Sequence, residues 1–302
     1  MTAPRRVSAL LLALLTALGA LVAPATAETR PPGTVRPLER AHAHNDYEHE
    51  RPLLDALDHG FTSVEADIHL VGDQLLVGHD PEDLTPERTL EALYLEPLRQ
   101  RVLAHHGRVY RRPAEFQLLV DVKTEAVSTY AALRQRLRHP RYAFLFTAYV
   151  HGLVRERAVT VVLSGNRPRE VLAAERYRLA FYDGRIVDPT DLGPGADARL
   201  VPLVSDNWTR LFSWTGEGPF PPAERERLRE IVRTAHAAGQ RVRFWATPDT
   251  PGPARTALWR ELVAAEVDHV NTDDLAGLAA FLRAGSHARK VAHRWSSRAF
   301  TT

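Results

Sequence analysis

The sequence predicts an α/β protein with the architecture of a (β/α)8 TIM barrel, and three observations support this prediction. About eight short apolar segments typical of strands alternate with segments typical of helices. The alternation fills about 250 residues without a linker-like stretch, which is the usual size of one such barrel. Several charged side chains stand where the apolar segments end, and in these barrels the active face lies at the carboxyl ends of the strands.

The first half of the chain supplies the predicted elements with the most polar ends. Residues 36–43 lead into His-Asn-Asp, and a short helix over 52–59 begins near Pro52 and ends before Gly60. Leucines at helical spacing predict a helix within 84–107. Further strands are predicted at 61–70, 74–78 and 116–122, and a further helix at 126–137.

The second half continues the same alternation. Ser164-Gly165-Asn166 closes a strand predicted over 159–163, and Gly239 ends a long helix predicted over 222–238. The remaining predicted strands are at 179–182, 200–204, 241–246 and 267–271, and the remaining helices are at 169–177, 254–265 and 275–283.

Both ends of the chain are expected to lie outside the barrel domain, which is predicted to occupy 36–284. Residues 1–27 have the pattern of a secretory signal peptide: a short positive region, an apolar segment over 8–22, and small residues at 25–27. Residues 28–35 are expected to be a short linker, and residues 285–302 a loose basic tail. The sequence therefore predicts a secreted protein.

Composition excludes several classes of function. The net charge is only +2, and no basic stripe with interleaved aromatic residues is present, so no nucleic-acid partner is expected. The chain has no cysteine, which excludes thiol catalysis and cysteine-ligated zinc. An exported protein without disulfides depends on a large hydrophobic core, and a chain of this length can supply one.

Three carboxylates at predicted strand ends form a candidate metal site. Glu65 and Asp67 are two residues apart on one strand, so both point to the same side of the sheet. Two such carboxylates repel each other unless a cation lies between them. Asp121 ends the strand over 116–122 and can supply a third oxygen. Oxygen ligands predict a hard divalent cation, Mg²⁺ or Ca²⁺.

Histidines and one lysine near the same strand ends are the candidates for proton transfer and phosphate binding. Six of the 14 histidines lie between residues 42 and 79, and we expect His44 and His79 to carry protons. His42 shares a face with His44 and competes with it for this role. Lys123, one of two lysines in the chain, lies two residues after Asp121 and is expected to hold a phosphoryl oxygen.

Other residues are expected to contact the substrate or a membrane. Asn45, Trp245 and Asn271 stand at predicted strand ends and are expected to line the substrate pocket. The segment 211–214, Leu-Phe-Ser-Trp, is a candidate for transient contact with a membrane surface, although an ordinary packed loop is the favoured interpretation.

These residues resemble the superfamily of glycerophosphodiester phosphodiesterases and phosphatidylinositol-specific phospholipases C. The N-terminal signature of that superfamily resembles residues 41–47, 52–57, 60–67 and 76–80, and the branch most similar is the one that includes altered inheritance of mitochondria protein 6. Residues 118–124, LLVDVKT, resemble a strand of the sphingomyelinase D group. The chain departs from the diesterase pattern because Asn45-Asp46, and not Arg-Gly, follows the first histidine. The resemblance implies a barrel of the PI-PLC-like phosphodiesterase type.

The resemblance also implies roles for these residues in a metal-dependent cleavage of a glycerophosphodiester or phospholipid. Glu65, Asp67 and Asp121 match metal ligands, and Lys123 matches a phosphate contact. The paired acid and base match His44 and His79; His44 is preferred to His42 because its spacing to Glu65 is nearer the sphingomyelinase D pattern. The implied mechanism has two steps: a substrate hydroxyl attacks phosphorus to form a cyclic phosphate, which is then opened.

Two alternative functions stay open at this point. One is a metal-dependent amidohydrolase, because His42-Ala43-His44 forms an H-x-H pair and Lys123 can act as a modified bridging ligand. That class also needs histidines on the middle strands, and none occurs between residues 152 and 235. The other is a barrel that binds phosphate or lipid head groups without turnover, which would not require two proton carriers.

Overall fold

In the computed structural model, which describes residues 35–285, eight parallel strands pair side by side and close into a barrel. The strands of this part of the chain are β1 (Leu38–Ala43), β2 (Phe61–Val71), β3 (Gln74–Val77), β4 (Gln117–Val122), β5 (Ala148–Val150), β6 (Leu153–Arg155), β7 (Thr160–Gly165), β8 (Tyr177–Arg178), β9 (Ala180–Arg185), β10 (Leu203–Asn207), β11 (Arg241–Trp245) and β12 (His269–Thr272). The barrel runs in the order β1-β2-β4-β7-β9-β10-β11-β12 and closes through the pairing of β12 with β1. The predicted (β/α)8 architecture is confirmed.

Helices connect the barrel strands and cover the outside of the barrel. They are α1 (Leu54–His59), α2 (Glu96–Ala104), α3 (Ala126–Arg138), α4 (Arg169–Ala174), α5 (Trp208–Leu211), α6 (Pro222–Ala237), α7 (Pro253–Ala264) and α8, which runs through residues 275–285. A π-helical turn at Glu91–Leu95 leads into α2. The helix predicted within 84–107 therefore occupies residues 91–104, because the polar residues before it form a loop.

One predicted strand has a different role from the others. Residues 74–78 are not part of the barrel, because β3 pairs antiparallel with the end of β2. β2 is 11 residues long, and its pairing with β1 ends at Val64, so the later residues on that edge of β2 are free to form this hairpin. The hairpin matters for the site because it carries His79 back to Asp67.

A small sheet was not predicted from the sequence. β5, β6 and β8 form a three-stranded antiparallel sheet beside the barrel, and the helix predicted to 177 ends instead at Ala174. All three residues of β6 are exposed, so this strand lacks the alternation of buried and exposed residues by which a strand is recognised.

The barrel interior contains one cluster of apolar residues and several buried polar residues. Leu119, Val162, Phe181 and Leu203, from β4, β7, β9 and β10, pack together in the interior. The other strands place polar side chains inside, and these are all buried: His42, Ser63, Glu65, Arg243, His269 and Asn271. Since strand residues alternate in direction, Leu118 and Val120 face the surrounding helices while Leu119 and Asp121 face inward. The site forms where the polar residues of β1, β2, β11 and β12 meet Asp121 of β4.

The segment proposed for membrane contact is buried. Leu211, Phe212 and Trp214 expose less than a tenth of their surface, and Trp214 stacks on Phe220 with ring centroids 4.4 Å apart. The favoured interpretation of 211–214 as a packed segment is confirmed, and the burial of these side chains does not support the alternative of a membrane contact. Among the described residues, no helix is long and apolar enough to cross a bilayer. The predicted signal peptide and nearly all of the linker and tail lie outside the described residues.

Candidate active site

Three carboxylates converge at the carboxyl end of the barrel. Glu65 and Asp67 lie on β2, and the register pairs Asp67 with Asp121 on the neighbouring strand β4. One oxygen of each acid lies within 4.8 Å of an oxygen of the other two. Glu65 and Asp67 are buried, and Asp121 is partly exposed. The fold therefore brings together the three acids that the sequence predicts as metal ligands.

Two cations partly neutralise the three carboxylates. Arg243, itself buried on β11, donates from Nη2 to Glu65 Oε2 over 2.5 Å. Lys123 Nζ lies 2.9 Å from Asp67 Oδ2 and 3.2 Å from Asp121 Oδ1. Three negative charges against two positive charges leave an excess of one negative charge in a poorly solvated place. A further cation would offset this excess.

The protonation of the two β2 acids differs because their partners differ. Burial opposes the ionisation of Glu65, but Arg243 and His42 hold its pKa below the usual range. Burial and the neighbouring charge of Glu65 raise the pKa of Asp67 to about 6, against the opposing effect of Lys123. β2 thus places Glu65, which stays ionised, beside Asp67, whose charge depends on what binds near it.

The donor atoms fit a hard divalent cation. Asp67 Oδ2 accepts hydrogen bonds, whereas Asp67 Oδ1 is buried and has no hydrogen-bond partner among the described residues. Gly165 lies against Asp121, and a Cβ atom there would come within 2.4 Å of Asp121 Oδ1. Because Gly165 has no side chain and a φ of +65°, the Asp121 carboxylate can occupy the space beside it. Three converging carboxylate oxygens, with no sulfur ligand in the group, are the ligand set of Mg²⁺ or Ca²⁺.

His44 is held beside the acids by a carboxylate on the last barrel strand. Its Nδ1 lies 2.7 Å from Oδ1 of Asp273, directly after β12, and its backbone N–H donates to Thr272 O. Asp249 fixes Asp273 in turn by accepting its backbone N–H over 2.7 Å. Burial would lower the pKa of His44, but the hydrogen bond to Asp273 and the charge of Glu65 raise it above the usual value. Within residues 35–285, Nε2 of His44 has no hydrogen bond.

His42 differs from His44 because both of its ring nitrogens have partners. Its Nδ1 lies 2.7 Å from Ser63 Oγ, its Nε2 lies 3.2 Å from Glu65 Oε2, and the ring is fully buried. Burial and Arg243 lower its pKa to about 4, so the ring is neutral near pH 7. Both nitrogens of His42 are occupied, which also argues against a metal-binding H-x-H pair with His44.

His79 reaches the acids from the β3 hairpin. Its Nδ1 lies 3.1 Å from Asp67 Oδ2 and 3.2 Å from the hydroxyl of Tyr47, while about half of its side chain is exposed. His69, on β2, holds the backbone carbonyl of His79 through Nε2 over 3.2 Å. Both predicted proton carriers therefore lie at the carboxyl end of the barrel, each with Nδ1 beside a carboxylate.

The three residues expected to line the substrate pocket have different surroundings. Asn45 has φ of +46° in the turn after β1, and its Oδ1 lies 2.9 Å from the Tyr47 hydroxyl oxygen. Trp245 is half-buried at the end of β11. Asn271 is buried, and its Oδ1 accepts from Arg243 Nε over 2.9 Å, so it orients the guanidinium that neutralises Glu65.

Three residues of the site were not identified from the sequence: Tyr47, Arg243 and Asp273. Tyr47 stands only three residues after His44, so its position in the motif was a signal that could have been used. The sequence does not single out Arg243 as a site residue, because the chain contains many arginines and this one lies within a strand. Asp273 belongs to a segment distant in sequence from His44, and only the pairing of β12 with β1 brings the two together.

Comparison with known proteins agrees with this geometry. Residues 33–183 match the family described as the AIM6-like phosphodiesterase domain, and residues 241–276 match the glycerophosphoryl diester phosphodiesterase family. Among curated relatives, altered inheritance of mitochondria protein 6 of Eremothecium gossypii is 34% identical over 81% of this chain and 69% of that protein. Its homolog in Arthroderma benhamiae is 31% identical over 78% of this chain and 81% of that protein.

A solved structure shares the fold. A calcium-dependent phosphoinositol-specific phospholipase C from a Gram-negative Pseudomonas species, in its apo form, covers 82% of this chain and 94% of its own, with a TM-score of 0.51 and 11% identity. The predicted superfamily is confirmed by these matches. The chain belongs to the AIM6-like phosphodiesterase domain family, a branch of the glycerophosphodiester phosphodiesterase and PI-PLC-like superfamily.

Proposed function

We propose that this chain is a divalent-cation-dependent phosphodiesterase that cleaves a glycerophosphodiester or a phospholipid with His44 and His79 as proton carriers. The observation that carries the proposal is the convergence of Glu65, Asp67 and Asp121 beside two imidazoles that each keep Nε2 free within the described residues. Phosphoryl transfer needs charge stabilisation and paired proton transfers, and this arrangement offers both.

The proton transfers follow from how the imidazoles are held. One ring removes the proton from the attacking hydroxyl, and the other gives a proton to the leaving oxygen as its bond to phosphorus breaks. If the attacking hydroxyl belongs to the substrate, the first step leaves a cyclic phosphate. In the second step water attacks, and the two rings exchange roles. Asp273 supports this chemistry at His44 because its carboxylate stabilises the imidazolium form.

Glu65, Asp67 and Asp121 are the residues that would hold the cation. A bound divalent cation supplies electrostatic stabilisation of the charge on the phosphoryl oxygens. Three carboxylate oxygens leave further coordination positions for water and substrate, which favours Mg²⁺, while Ca²⁺ is the alternative that the same oxygens allow. Lys123 adds positive charge at the same place, and burial of its ion pairs with Asp67 and Asp121 keeps it oriented.

The decisive experiment compares hydrolysis with and without the cation and with and without each imidazole. Hydrolysis of bis(p-nitrophenyl) phosphate is measured after EDTA treatment and after addition of Mg²⁺ or Ca²⁺, and phosphorus NMR then follows a panel of phospholipids and glycerophosphodiesters. His44→Ala and His79→Ala are each expected to reduce kcat/KM by about 10²- to 10⁴-fold. An active enzyme in EDTA, or full activity in either variant, contradicts the proposal.

A matched control separates catalysis from the loss of a histidine–aspartate contact. His236 forms a pair with Asp268 at 2.8 Å, similar to His44 with Asp273 at 2.7 Å, but on the outside of the barrel. His236→Ala is expected to retain full activity. A large loss in this variant would attribute the effect of His44→Ala to stability and not to chemistry.

Export is part of the same proposal, supported by the signal-like composition of residues 1–27. Expression of the full chain with N-terminal sequencing of the product in the medium tests it. Cleavage near Glu28 is the expected result, and an uncleaved intracellular product is the contrary one.

A further inference from the structure

The turn after β1 contains a tyrosine that the proposed chemistry does not use. The ring of Tyr47 is 2% exposed, and its hydroxyl lies 2.7 Å from Asp67 Oδ2, 2.9 Å from Asn45 Oδ1 and 3.2 Å from His79 Nδ1. One hydroxyl therefore connects a predicted metal ligand with a predicted proton carrier.

The turn is built so that this hydroxyl reaches the acids. Asn45 adopts φ of +46°, a left-handed conformation that asparagine tolerates better than most residues. Asp46 is buried and anchors the turn: its Oδ2 accepts the backbone N–H of Leu53 over 2.6 Å and the hydroxyl of Tyr94 over 3.0 Å. Arg88 binds the backbone carbonyl of Tyr47. The Asn-Asp-Tyr sequence thus places Tyr47 by contacts on both sides.

Counting donors fixes the direction of the hydrogen bonds. His79 Nδ1 lies 3.1 Å from Asp67 Oδ2, and an unprotonated nitrogen there would face a carboxylate oxygen lone pair to lone pair. When Asp67 is ionised, Nδ1 must therefore carry a proton, which it shares between Asp67 and the Tyr47 oxygen, while the Tyr47 proton goes to its nearest acceptor, Asp67. The remaining ring nitrogen, Nε2, is the one left for a substrate.

The same contacts orient the Asp67 carboxylate. Tyr47, His79 and Lys123 all lie against Oδ2, whereas Oδ1 is buried without a partner among the described residues. The carboxylate cannot rotate without breaking these contacts. Oδ1 therefore stays turned away from them and available to a cation.

We propose that Tyr47 is a positioning residue that holds His79 in the Nδ1–H tautomer and reserves Asp67 Oδ1 for the divalent cation. The inference rests on the proposed function for its catalytic consequence. The hydrogen-bond arrangement itself can be measured whether or not the protein hydrolyses a phosphodiester.

The test removes only the hydroxyl. In Tyr47→Phe the ring still fills its buried place, and the fold is expected to persist. Outer partners of metal ligands and catalytic groups commonly contribute about 10- to 100-fold, so kcat/KM is expected to fall by about that factor, through kcat and not KM. Mn²⁺ affinity, measured by the EPR signal of the free ion, is expected to weaken by about tenfold.

The control is Tyr110, a second buried tyrosine, whose hydroxyl contacts the start of β2 and not the acids farther along that strand. The Tyr110 hydroxyl donates to the backbone carbonyl of Phe61 at the start of β2, so Tyr110→Phe also deletes one buried hydroxyl but leaves the acids untouched. This variant is expected to bind Mn²⁺ and hydrolyse substrate as the wild type does. An equal effect in both variants overturns the positioning role.

NMR of ¹⁵N-histidine-labelled protein gives a readout that does not depend on activity. The wild type is expected to show His79, assigned by His79→Gln, as the Nδ1–H tautomer when neutral, and Tyr47→Phe is expected to show a mixture with the Nε2–H tautomer. Wild-type His79 in the Nε2–H form overturns the proposal even if the variant fails to fold. An unchanged tautomer together with unchanged Mn²⁺ affinity in Tyr47→Phe also overturns it.

Discussion

Two polar groups lie at the carboxyl end of the barrel, one built around Asp183 and the other around Glu65, Asp67 and Asp121, and they differ in charge balance. Asp183 on β9 is fully buried, and its Oδ2 accepts from Ser164, Ser205 and Arg185 over 2.7–2.8 Å, so one anion meets one cation. The cluster of Glu65, Asp67 and Asp121 has three anions against Arg243 and Lys123.

An unpartnered oxygen does not distinguish the two groups. Asp183 Oδ1 and Asp67 Oδ1 are both buried without a partner among the described residues. Only the second group adds two further acids whose oxygens converge within 4.8 Å. The comparison teaches that a single unsatisfied oxygen does not indicate a cation site. An excess of converging negative charge does. We expect the first group to serve stability and the second to serve function.

The largest expected effect is a loss of activity when one acid is removed from the group of Glu65, Asp67 and Asp121, whose charges are unbalanced. In Asp121→Asn, kcat/KM should fall by about 10³-fold or more, since the charge stabilisation supplied by a metal is worth several kcal/mol. The free energy of unfolding in EDTA should stay the same or rise, because one repelling charge is removed. Steady-state kinetics and urea denaturation measure the two quantities. Clear destabilisation with retained activity would erase the distinction between the groups.

Substitution in the Asp183 group, whose charges balance, should reduce stability and leave activity nearly unchanged. Asp183→Ala leaves Arg185 without its carboxylate, and we expect the free energy of unfolding to drop by about 3 kcal/mol. The catalytic constants of the folded protein should remain within about threefold of the wild type. Urea denaturation and kinetics below the unfolding transition provide the measurement. If activity disappears while stability holds, Asp183 belongs to the functional group.

The pH dependence of stability sharpens the comparison, because burial and Glu65 raise the pKa of Asp67 to about 6 from 3.8. A carboxyl with a raised folded pKa binds its proton more tightly when folded. Its stabilisation is complete below the unfolded pKa and is lost as the pH rises through about 6. In EDTA, the wild type should therefore lose about 2 kcal/mol more than Asp67→Asn between pH 4 and 7. Parallel curves from urea titrations at several pH values would contradict this.

The smallest expected effect concerns Asn271, which orients the arginine that pairs with Glu65. Asn271→Ala removes the hydrogen bond that orients Arg243, and kcat/KM is expected to fall about fivefold, corresponding to about 1 kcal/mol. KM should be nearly unchanged, because Asn271 contacts Arg243 in the structure. A large rise in KM with kcat unchanged would indicate instead the direct substrate contact that the sequence suggests.

The sequence by itself determined the barrel and the acids of the site. The apolar segments alternate with helices at the spacing of a (β/α)8 fold, and strand periodicity alone puts Glu65 and Asp67 on one side. Adjacent parallel strands in register then bring Asp121 beside Asp67. These inferences succeed because they depend on local periodicity and on one topological rule.

Only the tertiary structure decided how each of these groups is held. The choice between His42 and His44 depends on which ring has a free nitrogen, and that follows from the contacts with Ser63, Glu65 and Asp273. Tyr47 and Arg243 likewise gain their roles through atoms from other strands. Charge balance and hydrogen bonding are properties of residues that meet in space, so a linear pattern can name the acids but not their partners.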